Sequence, residues 1–440
     1  MPTLAEAQYL FKTKYVTNDK IEQFATDRVM HLLFKKNNQW ISKLSGGQGS
    51  GTPAQYGMVW PIEDVRNNSF GMIQLTNPAL VPPGSRQGTQ AYANLAGSSI
   101  GVTFDSILFD ASQTDETSFD NVVTRNLNSA FTDAQTQESR ILWGDGSGQL
   151  GIIGAINGTT ITLSTTFGGR PYPVTKFLQP GTLVTFLTSG YVAIANQTGI
   201  EITATDDNAG TFDVADVTGL NVGDYIFLYQ SHFAASSTGI EPIGIRGIFG
   251  STSTLYGIDP ATHSKWVPAV VITDNTDPTE DFLAQMKAYI GIGGDRGTHV
   301  VTHPLVMEKH ASFLKTYKRY NDTQVIGSGV KTPNQYQDLA GLDIVGVGPM
   351  IPDNNTPMAA TDDAFNLAMF NVDAVFCGEA RPMHWDQEDG DMLAKIVGGA
   401  TVSSPSYARY VGYLVHFWQT GCYRRKSGAF ASSVNYLKSA

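Results

Sequence analysis

The longest helical pattern in this chain, residues 118–143, stops abruptly in Ile141-Leu142-Trp143-Gly144-Asp145-Gly146-Ser147-Gly148-Gln149-Leu150-Gly151-Ile152-Ile153. Phe119, Val123, Leu127, Ala130, Ala134 and Ile141, flanked by Val122 and Phe131, form one apolar stripe, while Asn121, Arg125, Asn128, Thr132, Asp133 and Gln135 form a polar face. Thr117 and Asp120 have the spacing of a capping box, with Asp in place of the stronger Glu. A helix of about 25 residues is about 38 Å long. That is long for a globular domain, so the rest of the fold must be laid along it.

Residues 56–109, before this helix, read as strands. Ile100, Val102, Phe104 and Leu108 alternate with Ser99, Gly101, Thr103 and Asp105, the period of a half-buried strand. The Pro/Gly-rich run Asn77-Pro78-Ala79-Leu80-Val81-Pro82-Pro83-Gly84-Ser85-Arg86-Gln87-Gly88 breaks the segment into a long hairpin with an apolar tip. Such a tip either lies on its own domain or reaches onto another molecule. Further upstream, Ile21, Phe24, Ala25, Val29, Leu32, Leu33 and Trp40 predict a helix over 19–42, capped by Asn18 or Asp19. The run Gly46-Gly47-Gln48-Gly49-Ser50-Gly51 ends it. Without a Lys-Ser or Lys-Thr after its last glycine, this run is a hinge rather than a phosphate loop.

From 155 to 237 the pattern becomes short strands, including 183–188, 200–205, 211–214 and 225–229, with the hairpin turn Asp206-Asp207-Asn208-Ala209-Gly210. This predicts a small β-barrel or sandwich, mildly acidic in charge. Residues 255–380 alternate helix and strand, the signature of an α/β module. Asp277 is the expected cap, Pro278 the first helical position and Glu280 the third, followed by Leu283, Met286 and Ile290 and stopped by Gly291-Ile292-Gly293-Gly294. Strands are expected at 298–302, 342–351 and 366–377, a helix at 305–320, and a final strand region at 410–423.

No constellation of residues points to catalysis. The glycines at 291–297 follow a helix and precede a strand, the reverse of a dinucleotide turn. His303 and His310 flank Glu308 but stand seven apart, whereas a zinc helix needs its histidines four apart. Asp386, Glu388, Asp389 and Asp391 around Gly390 miss the calcium-loop spacing. Cys377 and Cys422 follow no metal or redox spacing and read as buried free thiols. No apolar run approaches the roughly 18 residues of a membrane helix, and no signal peptide is evident, so synthesis inside the cell is expected. The 440-residue chain has a net charge of -11, which argues against a dedicated nucleic-acid binder. Residues 1–45 hold seven Lys and Arg against four Asp and Glu, so this arm is +3 and the remainder is -14. A basic arm on an acidic body suits docking on an acidic partner or a neighbouring subunit. At 16% charged residues the chain is also poorer in charge than the roughly 25% of ordinary domains.

The order of these parts, with Gly-Asp-Gly-Ser-Gly after the long helix, Gly341-Leu342-Asp343-Ile344-Val345 and Met350-Ile351-Pro352, resembles the major capsid protein of tailed bacteriophages, the Hong Kong ninety-seven fold. The resemblance implies an α+β fold in six parts. These are an N-terminal arm (1–55), an extended β-hairpin loop (56–110), a peripheral domain with the spine helix (111–154), an inserted all-β domain (155–237), an α/β axial domain (238–380) and C-terminal peripheral strands (381–440). It implies a non-enzymatic subunit, without cofactor or metal, that self-assembles into hexamers and pentamers of an icosahedral shell around packaged double-stranded DNA. The implied partners are copies of itself, portal, scaffolding and decoration proteins, and DNA bound without sequence specificity; no membrane is involved. The implied location is the virion capsid, assembled in the host cytoplasm. Expected inter-subunit contacts are Arg66, Pro82, Pro83, Gly84 and Arg86 on the loop, and Gly144, Asp145, Gly146 and Gly148 form the turn that ends the spine helix. Only about 55 residues precede the hairpin, so no fused scaffolding segment is expected. The covalent cross-link known in this fold needs a loop lysine, and none lies between Pro61 and Asp110. The rivals are an encapsulin-like compartment shell and, from another class, a β-rich phage adhesin or a hydrolase with a binding module.

Overall fold

The computed structural model describes residues 35–36, 41–44, 55–65, 87–105, 116–164, 166–167, 170–171, 177–232, 239–274, 276–318, 343–346, 364–386, 394–398 and 407–435. The chain opens with β1 (Lys35–Lys36), β2 (Ile41–Leu44), β3 (Gln55–Val65), β4 (Gln87–Asn94) and β5 (Ala96–Asp105), then α1 (Glu116–Trp143). Eight strands follow: β6 (Gln149–Asn157), β7 (Thr160–Leu163), β8 (Thr166–Phe167), β9 (Arg170–Pro171), β10 (Leu183–Leu187), β11 (Ala193–Asp206), β12 (Thr211–Val214) and β13 (Tyr225–Leu228). Next come α2 (Ile245–Phe249), β14 (Val270–Ile272), α3 (Glu280–Ile292), β15 (His299–Thr302), α4 (Pro304–Lys318), β16 (Asp343–Gly346) and β17 (Ala364–Phe370). The last strands are β18 (Val375–Trp385), β19 (Ala394–Gly398), β20 (Tyr407–Cys422) and β21 (Gly428–Asn435).

Four assemblies organise these elements. β2, β3 and β4 form an antiparallel sheet whose β3–β4 hairpin sets Trp60 opposite Ala91 and Met58 opposite Ala93. β5 leaves the hairpin and pairs along β20, which also carries β18 and β19, with β1 parallel on the edge of β18. β6, β7, β10, β11, β12 and β13 close a barrel. β14, β21, β17, β15 and β16 form a mixed sheet against which α3 packs. Inside the barrel Ile153, Ile161, Val184, Phe186, Ile202, Phe212 and Ile226 are at most 1% exposed, and the barrel core is separate from the main core. The main core draws Trp60, Trp143, Phe249, Phe370, Phe376, Trp418 and Phe430 from seven elements, β3, α1, α2, β17, β18, β20 and β21.

Several expectations are corrected. Lys35 and Lys36 pair with Phe376 and Cys377, and Ile41–Leu44 pair with Met58–Gln55. Their backbone groups are thus held by sheet partners, and no helix reaches residue 42; the rest of the expected helix, 19–34 and 37–40, lies outside the described residues. α1 starts at Glu116, which puts Thr117 inside its first turn rather than at the cap. The barrel starts at Gln149 rather than 155. Thr279, not Asp277, caps α3: its hydroxyl accepts from the Phe282 N–H at 3.3 Å, while the Asp277 carboxylate takes Lys309 Nζ at 2.6 Å. The expected strand 366–377 is two strands in two sheets, broken at Asn371, whose side chain accepts from the Asp373 N–H at 3.0 Å. The chain's last described strand is β21, which inserts between β14 and β17, so 428–435 belongs to the α/β sheet and not with the peripheral strands.

Candidate functional site

The turn 144–148 is where the long helix, the barrel and the main core meet. The Gly144 N–H bonds back to Arg140 O and Ile141 O, closing α1. The Asp145 carboxylate then accepts the Ser147 N–H at 2.9 Å, an Asx turn that reverses the chain into β6. Gly146 stands at φ +83, with Glu241 O and the Ile243 side chain just over 3 Å from where a Cβ would sit. Only glycine meets both demands without strain. The segments after β13 close the same neck: His232 Nδ1 lies 2.7 Å from Ser147 O, and the Ile240 N–H donates to Ser231 O at 3.1 Å. α2 is pressed onto the end of α1, because a Cβ on Gly244 would overlap the Leu142 carbonyl and the Gly247 N–H donates to Gly144 O at 3.2 Å.

Charge reinforces this neck. Arg140, 4% exposed, holds Glu241 with both guanidinium nitrogens, one of them at 3.0 Å, and its Nε donates to Gln137 at 3.0 Å. Burial pushes the Asp145 carboxyl upward, but the Arg246 charge and the Ser147 hydrogen bonds outweigh it and hold the group below its ordinary value. Gln419 stitches the hairpin to the neck: its carbonyl accepts from the Ile243 N–H at 2.9 Å and its amide donates to Asn94 O at 2.9 Å.

The hairpin itself is rooted in the main core. Trp60 is fully buried, meets Tyr256 and Phe376 edge-on at 4.9 and 5.4 Å, and donates its indole N–H to Cys422 O at 2.9 Å. Below it, Arg425 is fully buried with backbone carbonyls as its hydrogen-bond acceptors: Ile248 O and Ser253 O at 2.9 Å, Trp266 O at 3.2 Å and Ser251 O. Burial lowers its pKa to about 10 and raises that of Cys422 to about 12. Both cysteines are buried free thiols.

Of the residues singled out from the sequence, Gly144, Asp145, Gly146 and Gly148 converge at the neck. Arg66, Pro82, Pro83, Gly84 and Arg86 lie outside the described residues, as do Glu388, Asp389 and Asp391. His303 stacks flat on Phe365 at 3.9 Å and His310 faces Pro278 O at 2.7 Å, so the two rings serve packing and a backbone contact. Among the described residues no group of three His, Cys, Asp or Glu side chains could hold a metal ion, and no helix is long and apolar enough to cross a membrane. Glu138, Arg140, Glu241, His416, Gln419 and Arg425 do not stand out in the sequence, because a polar residue in a helix or strand carries no local mark of a distant partner.

No protein-family model matches the chain, and no curated protein is similar to it in sequence. Solved structures are. The chain is similar to a capsid protein of cyanophage A-1(L), at 11% identity and TM-score 0.42 over 86% of this chain and 88% of that one. It is similar to a capsid protein of cyanophage Pam1, at 10% identity and TM-score 0.38 over 90% and 89%. It is also similar to the holo-SrpI encapsulin complex of Synechococcus elongatus, at 10% identity and TM-score 0.35 over 93% and 88%.

Proposed function

We propose that this chain is the structural subunit of a capsid-type shell, which assembles with copies of itself into hexamers and pentamers enclosing double-stranded DNA and performs no catalysis. The observation that supports this most is the arrangement around β20. A 28-residue helix lies on the sheet that β5 and the late strand β20 build together, and the hairpin sheet roots in the core beneath them. The buried charges Arg140, His416 and Arg425 tie elements to one another rather than converge on a pocket. In this reading the segment between β3 and β4, with Arg66, Pro82, Pro83, Gly84 and Arg86, contacts the neighbouring subunit. The closed barrel, which the chain enters through the neck and which Gln137 of α1 also meets at Phe177 O, faces outward. Portal, scaffolding and decoration proteins are further partners, and the assembled location is the virion. An encapsulin-like compartment would share the subunit architecture and differ in cargo.

Assembly of the full chain against a variant lacking residues 78–87 tests the proposal. Sedimentation should show shell-sized particles for the full chain and folded, unassembled subunits for the deletion. Shells of normal size from the deletion would remove the hairpin from the assembly mechanism.

A further inference from the structure

We infer that His416, held between Glu138 and Glu379, is a pH-dependent clamp that seats the C-terminal half of α1 on the β5–β20–β18 sheet, tight when the imidazole is protonated and slack when it is neutral. The clamp belongs to the single chain and does not depend on the shell reading.

The geometry is closed on every side. His416 is 3% exposed and sits on the helix-facing side of β20, with Leu414 and Trp418 as its same-face neighbours and its ring stacked on Trp418 at 5.6 Å. From α1, Glu138, also 3% exposed, brings Oε1 to 3.0 Å from Nδ1. From β18, Glu379 brings Oε1 to 3.6 Å from Nε2. From β5, the residue opposite is the uncharged Ser98. The nearby cation Arg140 is engaged by Glu241 and Gln137.

An imidazolium has two N–H donors and can face both carboxylates at once, whereas a neutral imidazole has one donor and one lone pair. The neutral ring must therefore turn a lone pair towards one of the two carboxylates, and two like charges are left without the cation between them. Burial disfavours the charged ring, but the hydrogen bonds and charges of Glu138 and Glu379 outweigh it and raise the His416 pKa above its ordinary 6.5. The sign follows by linkage: a raised folded value contributes stability that is complete below about 6.5 and is lost as pH rises through the folded value. Glu138 lies less than two turns before the neck, so loosening this contact frees the end of α1 next to the barrel.

Carbon-13 histidine NMR of the full chain reads this directly, because only eight histidines are present and His416→Gln identifies the signal. The His416 midpoint should lie above 6.5, and Glu138→Gln should lower it by on the order of one unit. Amide exchange in residues 131–141, corrected for intrinsic rate and referenced to β15 and β17, should accelerate through that midpoint in the native chain and stay flat in His416→Gln. If His416→Gln fails to fold, Glu138→Gln and Glu379→Gln carry the test by the same midpoint shift. A midpoint at or below 6.5, or one that Glu138→Gln leaves unmoved, would overturn the clamp.

Discussion

The barrel and the body of this molecule solve the problem of a core in opposite ways. The barrel's apolar core comes from one stretch of chain, residues 150–228, with Thr185, Gln197 and Asp224 as buried polar side chains beside it. The hydrogen bonds its buried polar side chains make are local: Asp224 accepts the Asn221 N–H at 2.7 Å and the Gln197 amide donates to Thr218 O at 3.1 Å. The body instead buries ions that need partners far along the sequence: Arg140 with Glu241, 101 residues away, His416 with Glu138, 278 away, and Arg425 with Ile248 O, 177 away. Apolar burial supplies stability without direction, whereas a buried charge is tolerated only with its own partner in place. The barrel is therefore a unit defined by local pattern, and the body is a set of segments whose mutual register is fixed by specific polar pairs.

If that contrast is right, truncating a body charge is the most damaging single change. Arg140→Met strands the Glu241 carboxylate and should cost about 3–5 kcal/mol, much of it recovered in the Arg140→Met/Glu241→Met double variant. Urea unfolding of the four-member cycle measures this, and an additive double variant would break the comparison. Next, Ile226→Ala opens a cavity in the barrel and should cost about 3 kcal/mol. The loss should appear in barrel amides by hydrogen exchange while α1 and β17 keep their protection. Spread of the loss into the body would show that the barrel is not a separate unit.

Smaller effects sharpen the picture at the neck. Gly146→Ala forces a left-handed backbone on a side chain already crowded by Ile243 and should cost about 1–2 kcal/mol by thermal melting. Smallest is the acid dependence of Asp145. Its folded pKa is depressed, so its contribution is present above about 3.8 and is lost as pH falls through the folded value. Asp145→Asn should flatten the stability profile in that acid range alone.

This contrast also explains what could be read from the sequence. The barrel strands were legible because alternation and the turn at 206–210 are local signals, and β12 (Thr211–Val214) falls where the pattern put it. The long helix and its glycine stop were legible for the same reason. β21 was missed because Gly428-Ala429-Phe430-Ala431-Ser432-Ser433-Val434-Asn435 lacks the β-branched density of a strand and is held by partners on both sides, β14 and β17. β1 and the start of β2, Ile41 and Ser42, fall within the expected helix because apolar spacing alone cannot register that β18 and β3 supply their hydrogen bonds. At the neck, Gly144 to Gly148 announced a turn, but nothing local shows that Glu138, Arg140 and His416 turn inward.

Electron microscopy of the purified full chain tests the central claim most directly. The account predicts closed particles whose reconstruction resolves six-fold and five-fold clusters of this subunit, each with the barrel on the outer surface. Monodisperse monomers at every concentration and salt, or an open filament without such clusters, would contradict it.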